Sequence, residues 1–218
     1  MTYDDPYGSD IYTEPEPNPN TLAELGPLAA LAGVWRGTEG VDTHPEAGGV
    51  TVSEPYVETW ELQPCDPQTS GPQLLYGLRY HQVAHRPHDL VKTFHDQVGY
   101  LLWEPLAEQV IMTLAIPRGQ VAMAAGRATA DATSFALRAA HGEPDWGICT
   151  NPFLERAFET VEWTIRFVVS PEGTWSYEQD TVMQVTGIPA AFHHTDANVM
   201  HRIEAPRPNP LAAELANA

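Results

Sequence analysis

Histidine is the residue type of this sequence that is best suited to metal binding or proton transfer. The chain has nine histidines. Seven fall into two groups, His81, His85, His88 and His95 in the first and His193, His194 and His201 in the second. Histidine is the commonest metal ligand and titrates near neutral pH, so a histidine that faces a cavity can hold a metal ion or move a proton. Four of the seven lie in a connecting segment or on strands where an outward-facing imidazole needs no partner, which leaves His95, His193 and His194 as candidates.

No enzymatic motif accompanies these histidines. The sequence has no phosphate-binding loop ending in Lys-Ser/Thr, no Gly-x-Ser-x-Gly, no His-Glu-x-x-His and no dinucleotide fingerprint after a strand. Cys65 and Cys149 are far apart and lack zinc-like spacing, so neither a disulfide framework nor a structural zinc site is indicated. We therefore assign no catalytic residue from motifs.

Runs of β-branched and aromatic residues, separated by Gly, Pro, Asp and Asn, predict ten strands. These are residues 33–41, 50–63, 73–85, 91–104, 109–116, 120–128, 133–140, 158–170, 174–186 and 198–205. Two links, Pro117-Arg118-Gly119 and Pro171-Glu172-Gly173, predict tight hairpin loops. Hairpin-linked strands without helical crossovers indicate a meander, and closure into a barrel would remove its exposed edges. A β-sandwich is the alternative.

The predicted fold is therefore all-β, a closed antiparallel up-and-down β-barrel of about ten strands, similar to lipocalins and fatty-acid-binding proteins. A short N-terminal helix should precede it, because Thr21-Leu-Ala-Glu24 has capping-box spacing and leucines recur every third residue before Gly33. A barrel of this size is too wide for side chains alone to fill, so we expect a small-molecule ligand in its cavity.

Composition predicts one domain with two tails. Residues 1–20 are acidic and proline-rich, residues 21–205 form the barrel, and residues 206–218 form a C-terminal tail. The formal net charge is −18, with 29 acidic and 11 basic residues, which disfavours nucleic acid and anionic membranes as partners. The sequence shows neither a signal-like start nor a membrane-spanning apolar run, so we expect a cytoplasmic location. A homodimer is one possible assembly.

The first predicted strand opens with Gly33-Val-Trp35-Arg-Gly37-Thr-Glu39-Gly40. This segment resembles the G-x-W-x-G-x-G opening of the nitrobindin family, the haem-binding β-barrels also found at the C-terminus of THAP-domain protein four, with Glu39 in place of the third glycine. Phe94-His95-Asp-Gln-Val-Gly99-Tyr100 resembles a family strand whose histidine faces the cavity. Gly187-Ile-Pro189 and the following Phe192-His193-His194 resemble the segment with the axial histidine, although a polar Thr195-Asp196 follows where the family usually has leucine.

The resemblance implies ferric haem b as cofactor, bound through one neutral imidazole, with an open distal side that reacts with nitric oxide or peroxynitrite. Peroxynitrite isomerisation would follow only if haem binds. The axial metal ligand would be His194, which Asp196 could orient through its second nitrogen, or else His193. The other cofactor-binding candidates are His95, Trp35 and Arg79; Arg79 is one of several arginines that could meet a propionate, and Trp35 most simply plugs the barrel floor.

Two other functions remain open at this point. The barrel could be an intracellular carrier of a fatty acid or other small apolar ligand without haem, in which His95 and Arg79 would hydrogen-bond a carboxylate. It could also be an interaction scaffold with a packed or water-filled interior, because a fold does not fix a function.

Overall fold

The chain folds into a closed β-barrel, which a computed structural model describes over residues 5–217. The strands are β1 (Gly33–Glu46), β2 (Val50–Pro64), β3 (Gln68–Ser70), β4 (Gln73–Arg86), β5 (Asp89–Glu104), β6 (Gln109–Ile116), β7 (Gln120–Arg127), β8 (Ser134–His141), β9 (Gly147–Thr150), β10 (Phe158–Val169), β11 (Trp175–Val185) and β12 (Phe192–Glu204). Two 3₁₀ helices (Thr21–Ala23 and Gly26–Leu31) precede β1, α1 (Pro152–Ala157) precedes β10, and α2 (Pro210–Leu215) follows β12.

Eleven of the described strands form one closed sheet, and β3 is a short arm on β4. Closure comes from β2, which pairs with both β1 and β4. The predicted all-β closed barrel is thus confirmed. Two details differ: β9 lies between the predicted strands 133–140 and 158–170, where no strand was predicted, and it pairs in parallel with β8, so the sheet is not purely antiparallel. β7 and β8 share only one register pair, Ala125 with Arg138, so parts of their facing edges are left unpaired. β9 pairs with these free parts.

Tight turns of the predicted kind join the long strands. Residues 117–119 connect β6 to β7, and Gly119 has φ of +73°, a left-handed conformation that a side chain would disfavour. The second predicted loop, 171–173, connects β10 to β11 and has Gly173 at φ +84°.

The end of the barrel next to the 3₁₀ helices is closed by apolar side chains. Leu25, Leu28 and Leu31 are fully buried there, and each contributes on the order of 1.5–3 kcal/mol by burial. The predicted capping box does not form, because the Thr21 hydroxyl donates to the carbonyl of Cys65 (2.8 Å) instead of capping the helix. Further in, aromatic rings pack edge to face around a buried Trp175.

An irregularity in β1 changes which side chains face the barrel interior. The registers of β1 with both neighbours shift between Gly37 and residues 40–41. Before this bulge Trp35 and Gly37 are buried, whereas after it Gly40 and Asp42 are buried. Because an extra residue in a strand inverts the alternation of its faces, the bulge turns Asp42 inward.

The last strand is longer than predicted. β12 begins at Phe192, six residues before the predicted start at residue 198, so both tandem histidines lie within it. Successive side chains of a strand point to opposite faces, and His194 accordingly faces inward while His193 faces out.

The chain on either side of the barrel packs against its closed end. Asn209 is fully buried, where its side chain accepts from the Thr21 amide (3.1 Å) and donates to the carbonyl of Pro19 (2.8 Å). Within residues 5–217, no helix has the length and apolar character needed to cross a membrane.

Candidate functional site

The half of the barrel away from the 3₁₀ helices contains a cavity of about 370 Å³. One part of its wall is apolar and includes Leu114, Ile116, Ala122, Ile148, Leu154, Phe158 and Met183. Another part is polar and includes Asp42, His44, Arg86, His95, Arg118, His194 and Asp196. An apolar cavity with a few convergent polar groups is the usual form of a small-molecule site.

An imidazole and two carboxylates meet on this polar wall. Nε2 of His194 lies 2.8 Å from Oδ1 of Asp42 and 3.8 Å from Oδ2 of Asp196. β1 and β12 pair Asp42 directly with Asp196, and both face inward. The two carboxylates are therefore brought together by strand register, with the imidazole against both.

Asp42 is fixed by further contacts on its other oxygen. Oδ2 accepts from Arg86 Nη2 (2.8 Å) and lies 3.1 Å from His44 Nδ1. Burial by itself raises the pKa of Asp42, but hydrogen bonds from His194 and Arg86 outweigh burial and lower that pKa to about 2. The same pairing raises the pKa of His194 above its ordinary value, in spite of burial. The pairing thus favours the charged forms of both Asp42 and His194.

Asp196 differs from Asp42 in its protonation. Burial, together with the charge of Asp42, raises the pKa of Asp196 to about 7, although His194 acts in the opposite direction. The carboxyl also accepts a hydrogen bond from Gln179 Nε2 (3.0 Å), its partner on β11.

His95 is a second imidazole on the cavity wall, and it stays neutral. Burial lowers the pKa of His95 to about 4, and the positive charge of Arg118 acts in the same direction. Arg118 lies in the β6–β7 turn and donates to the carbonyl of Phe94 (3.3 Å). Within residues 5–217 no acidic side chain is in ion-pair contact with Arg118.

A buried carboxylate, Glu58, lies next to the cavity floor and is only 2% exposed. It accepts from Trp60 Nε1, Gln82 Nε2 and Asn198 Nδ2, each at 2.8 Å, and from the hydroxyl of Tyr177 at 2.9 Å. Burial raises the pKa of Glu58, and the hydrogen bonds oppose that shift. Two of its donors, Gln82 and Tyr177, line the cavity, so the network fixes part of the cavity surface.

The predicted site residues are only partly brought together. His95 and His194 both line the cavity, whereas His193 is exposed on the outer face, where its Nδ1 contacts Asp180 (2.7 Å). Trp35 is buried in the closed end, and its Nε1 donates to the carbonyl of Leu31 (2.7 Å). Arg79 is exposed on the outside, because β4 turns its neighbours Leu78 and Tyr80 inward.

Several residues of the cavity were not singled out from the sequence. Glu58 could have been found, because it alternates with Tyr56 and Trp60 on the dry face of a clear strand. Asp42 could not, because simple alternation from Trp35 places it outside. Arg86 lies at the end of β4, where the register with β5 also shifts, so the sequence did not indicate that its side chain faces the cavity.

Chemically, the polar wall can bind a cation through the nitrogen of His194 and the oxygens of Asp42 and Asp196, whose ligand atoms lie within 4.8 Å of one another. It can also bind an anionic group through Arg118 and, with a neutral imidazole, His95. The apolar wall can take the body of a flat or elongated ligand.

Comparison with known proteins identifies the family. The model of the THAP4-like, haem-binding β-barrel domain matches residues 24–202. The crystal structure of Rv2717c from M. tuberculosis is similar in fold, with a TM-score of 0.56 and 23% sequence identity over 84% of this chain and 96% of that one. No curated protein matches the chain. The match over most of the barrel confirms the family resemblance, and the chain belongs to the THAP4-like haem-binding β-barrel family.

Proposed function

We propose that the barrel binds one haem b in its cavity and that His194 is the axial ligand to iron. The observation that carries the proposal is the position of His194, the one of the two tandem histidines whose imidazole faces the cavity. The family to which the chain belongs is a haem-binding family, which supports the same ligand.

The side chains that line the cavity are of the types that bind haem. The polar wall offers an imidazole, the apolar wall offers a surface for the macrocycle, and Arg86 and Arg118 are guanidinium groups of the type that binds propionates. Nε2 of His194 forms a hydrogen bond with Asp42, so iron can bind this nitrogen only if that hydrogen bond is broken. Asp42 therefore opposes haem binding and should weaken it.

When bound, ferric haem supplies an iron centre at which nitric oxide or peroxynitrite can react. The chain's own residues set the surroundings of that centre. The apolar wall limits water in the cavity, and His95, neutral near pH 7, can donate one hydrogen bond and accept another without adding charge. Arg118 adds a fixed positive charge that favours an anionic reactant.

Titration with hemin tests the proposal. The wild-type protein should give a Soret band typical of histidine-ligated ferric haem at one equivalent. His194→Ala should abolish the band, while His193→Ala, which removes an exposed imidazole one residue away, should leave it unchanged. Loss of the band in His193→Ala alone, or no saturable binding in the wild type, would refute the assignment of His194.

A second candidate function is favoured by the position of Arg118, whose charge acts on His95 and which lines the same cavity. Arg118 has no ion pair with an acidic side chain among residues 5–217. Near a neutral imidazole and an apolar wall, such an arginine can bind the carboxylate of a fatty acid. In that case the protein binds dodecanoate at one equivalent without any Soret band, and Arg118→Gln weakens dodecanoate binding at least tenfold. Calorimetric titration with dodecanoate measures this, and His81→Gln on the outer face is the control.

A further inference from the structure

Besides the proposed haem, we infer that Asp42, His194 and Asp196 form a site for one divalent first-row transition-metal ion in the haem-free protein. Each residue offers one ligand atom, and the three atoms lie within 4.8 Å of one another. All three side chains line the cavity, so open coordination positions would face the space in which a small ligand binds.

The strand register gives the first reason for a cation at this point. Asp42 and Asp196 are direct cross-strand partners on the inner face of β1 and β12. Like charges directly opposite each other destabilise a sheet. A divalent ion between the two carboxyl groups would relieve this repulsion when both are ionised, and it would add to the positive charge that Arg86 already places beside Asp42.

The distances give the second reason. Ligand atoms about 2.1 Å from a common metal ion are roughly 3.0–3.4 Å apart in octahedral or tetrahedral geometry. The observed separations from His194 Nε2, 2.8 Å to Asp42 Oδ1 and 3.8 Å to Asp196 Oδ2, lie on either side of that range. Small side-chain adjustments are sufficient to seat an ion between the three atoms.

Contacts outside the cluster orient its ligands. Arg86 and His44 hold Oδ2 of Asp42, which leaves Oδ1 directed at His194. Gln179 donates to Asp196 from the neighbouring strand. Such outer contacts usually hold metal ligands in place. One nitrogen and two carboxylate oxygens suit Zn²⁺, Co²⁺, Mn²⁺ or Fe²⁺ better than Cu⁺, which prefers sulfur.

This inference does not rest on the haem proposal. Both ligands require the same nitrogen of His194, so a metal ion in the cluster and a haem iron should exclude each other. The two can fail separately, because hemin binding is measured by its Soret band and the metal site by titration with Zn²⁺ and Co²⁺ alone.

Calorimetric titration of the haem-free protein with Zn²⁺ tests the site, and visible absorption with Co²⁺ reports its coordination. We expect one equivalent of Zn²⁺, and a Co²⁺ spectrum that shows nitrogen and oxygen ligation. His194→Ala and the isosteric Asp196→Asn should each weaken Zn²⁺ binding at least tenfold, and bound Zn²⁺ should reduce hemin uptake in the wild type.

Two controls separate this site from surface binding. His193→Ala removes an exposed histidine that contacts Asp180 on the same strand pair. His141→Ala removes the histidine of a surface group with Glu155 and Glu159 that could also attract the ion. Zn²⁺ binding that survives in Asp196→Asn and His194→Ala, or that is lost in either control, would overturn the inference, as would the absence of binding to the wild type.

Discussion

Replacement of His95 by glutamine should change how the stability of the barrel depends on pH. The imidazole is enclosed on the cavity wall next to Arg118, and burial together with this charge lowers its pKa to about 4, from an ordinary value of 6.5. Between these two pH values the unfolded chain binds a proton at His95 and the folded protein does not. Wild-type stability should therefore fall as the pH is lowered through this window.

The size of the effect follows from the two pKa values. Their difference corresponds to about 3 kcal/mol, because each pKa unit is worth about 1.4 kcal/mol. About 2.5 kcal/mol of this should be lost between pH 7.5 and pH 4.5.

Urea unfolding followed by tryptophan fluorescence, at pH 7.5 and pH 4.5, measures the free energy of unfolding of both proteins. Other groups titrate equally in wild type and variant, so their effects cancel in the difference. His95→Gln should gain up to about 2.5 kcal/mol relative to wild type on going to pH 4.5. His81→Gln, which removes an exposed imidazole paired with Asp96, should gain little.

A relative stability of His95→Gln that stays the same at both pH values would refute the reasoning. It would mean that the imidazole takes up a proton in the folded protein as readily as in the unfolded chain, and that His95 is not held neutral in the cavity.

Three further predictions concern the same barrel. Glu58→Ala should destabilise the fold by about 3–5 kcal/mol in urea unfolding, because four buried donors lose their acceptor; a loss below about 1 kcal/mol would contradict the network. Asp42→Asn should raise hemin affinity about tenfold, since a charged hydrogen bond on His194 is weakened, and should lower Zn²⁺ affinity; a change of both affinities in the same direction would contradict this reasoning. Gly99→Ala should cost about 1–3 kcal/mol in thermal unfolding, because a Cβ there would lie 1.9 Å from the carbonyl oxygen of Thr113; an unchanged midpoint would contradict the close approach of β5 and β6.

The barrel could be predicted because most of its strands are recognisable from their local sequence pattern. In β10, Trp163, Ile165 and Phe167 alternate with polar residues, and the predicted bounds agree with the observed strand to within one residue. The short strand β9 was missed because four residues next to Gly and Pro carry no clear period, and it forms only where β7 and β8 leave an edge free.

The site was predictable only where side chains follow the simple alternation of a strand. Alternation along β5 places His95 on the cavity side. Alternation along β12 does the same for His194, but only once that strand is known to begin at Phe192. Asp42 depended on the bulge after Gly37, whose position no local signal fixed. Arg79, chosen for its charge, lies outside because strand direction, not residue type, decides which side chain enters the barrel.

Anomalous diffraction at the iron edge from crystals grown with hemin would test the role of His194 most directly. We predict one iron peak inside the cavity, in bonding contact with Nε2 of His194, with the Asp42 carboxylate displaced from that nitrogen. An iron peak at His193 on the outer face, or ordered haem in the cavity without contact to His194, would contradict the assignment.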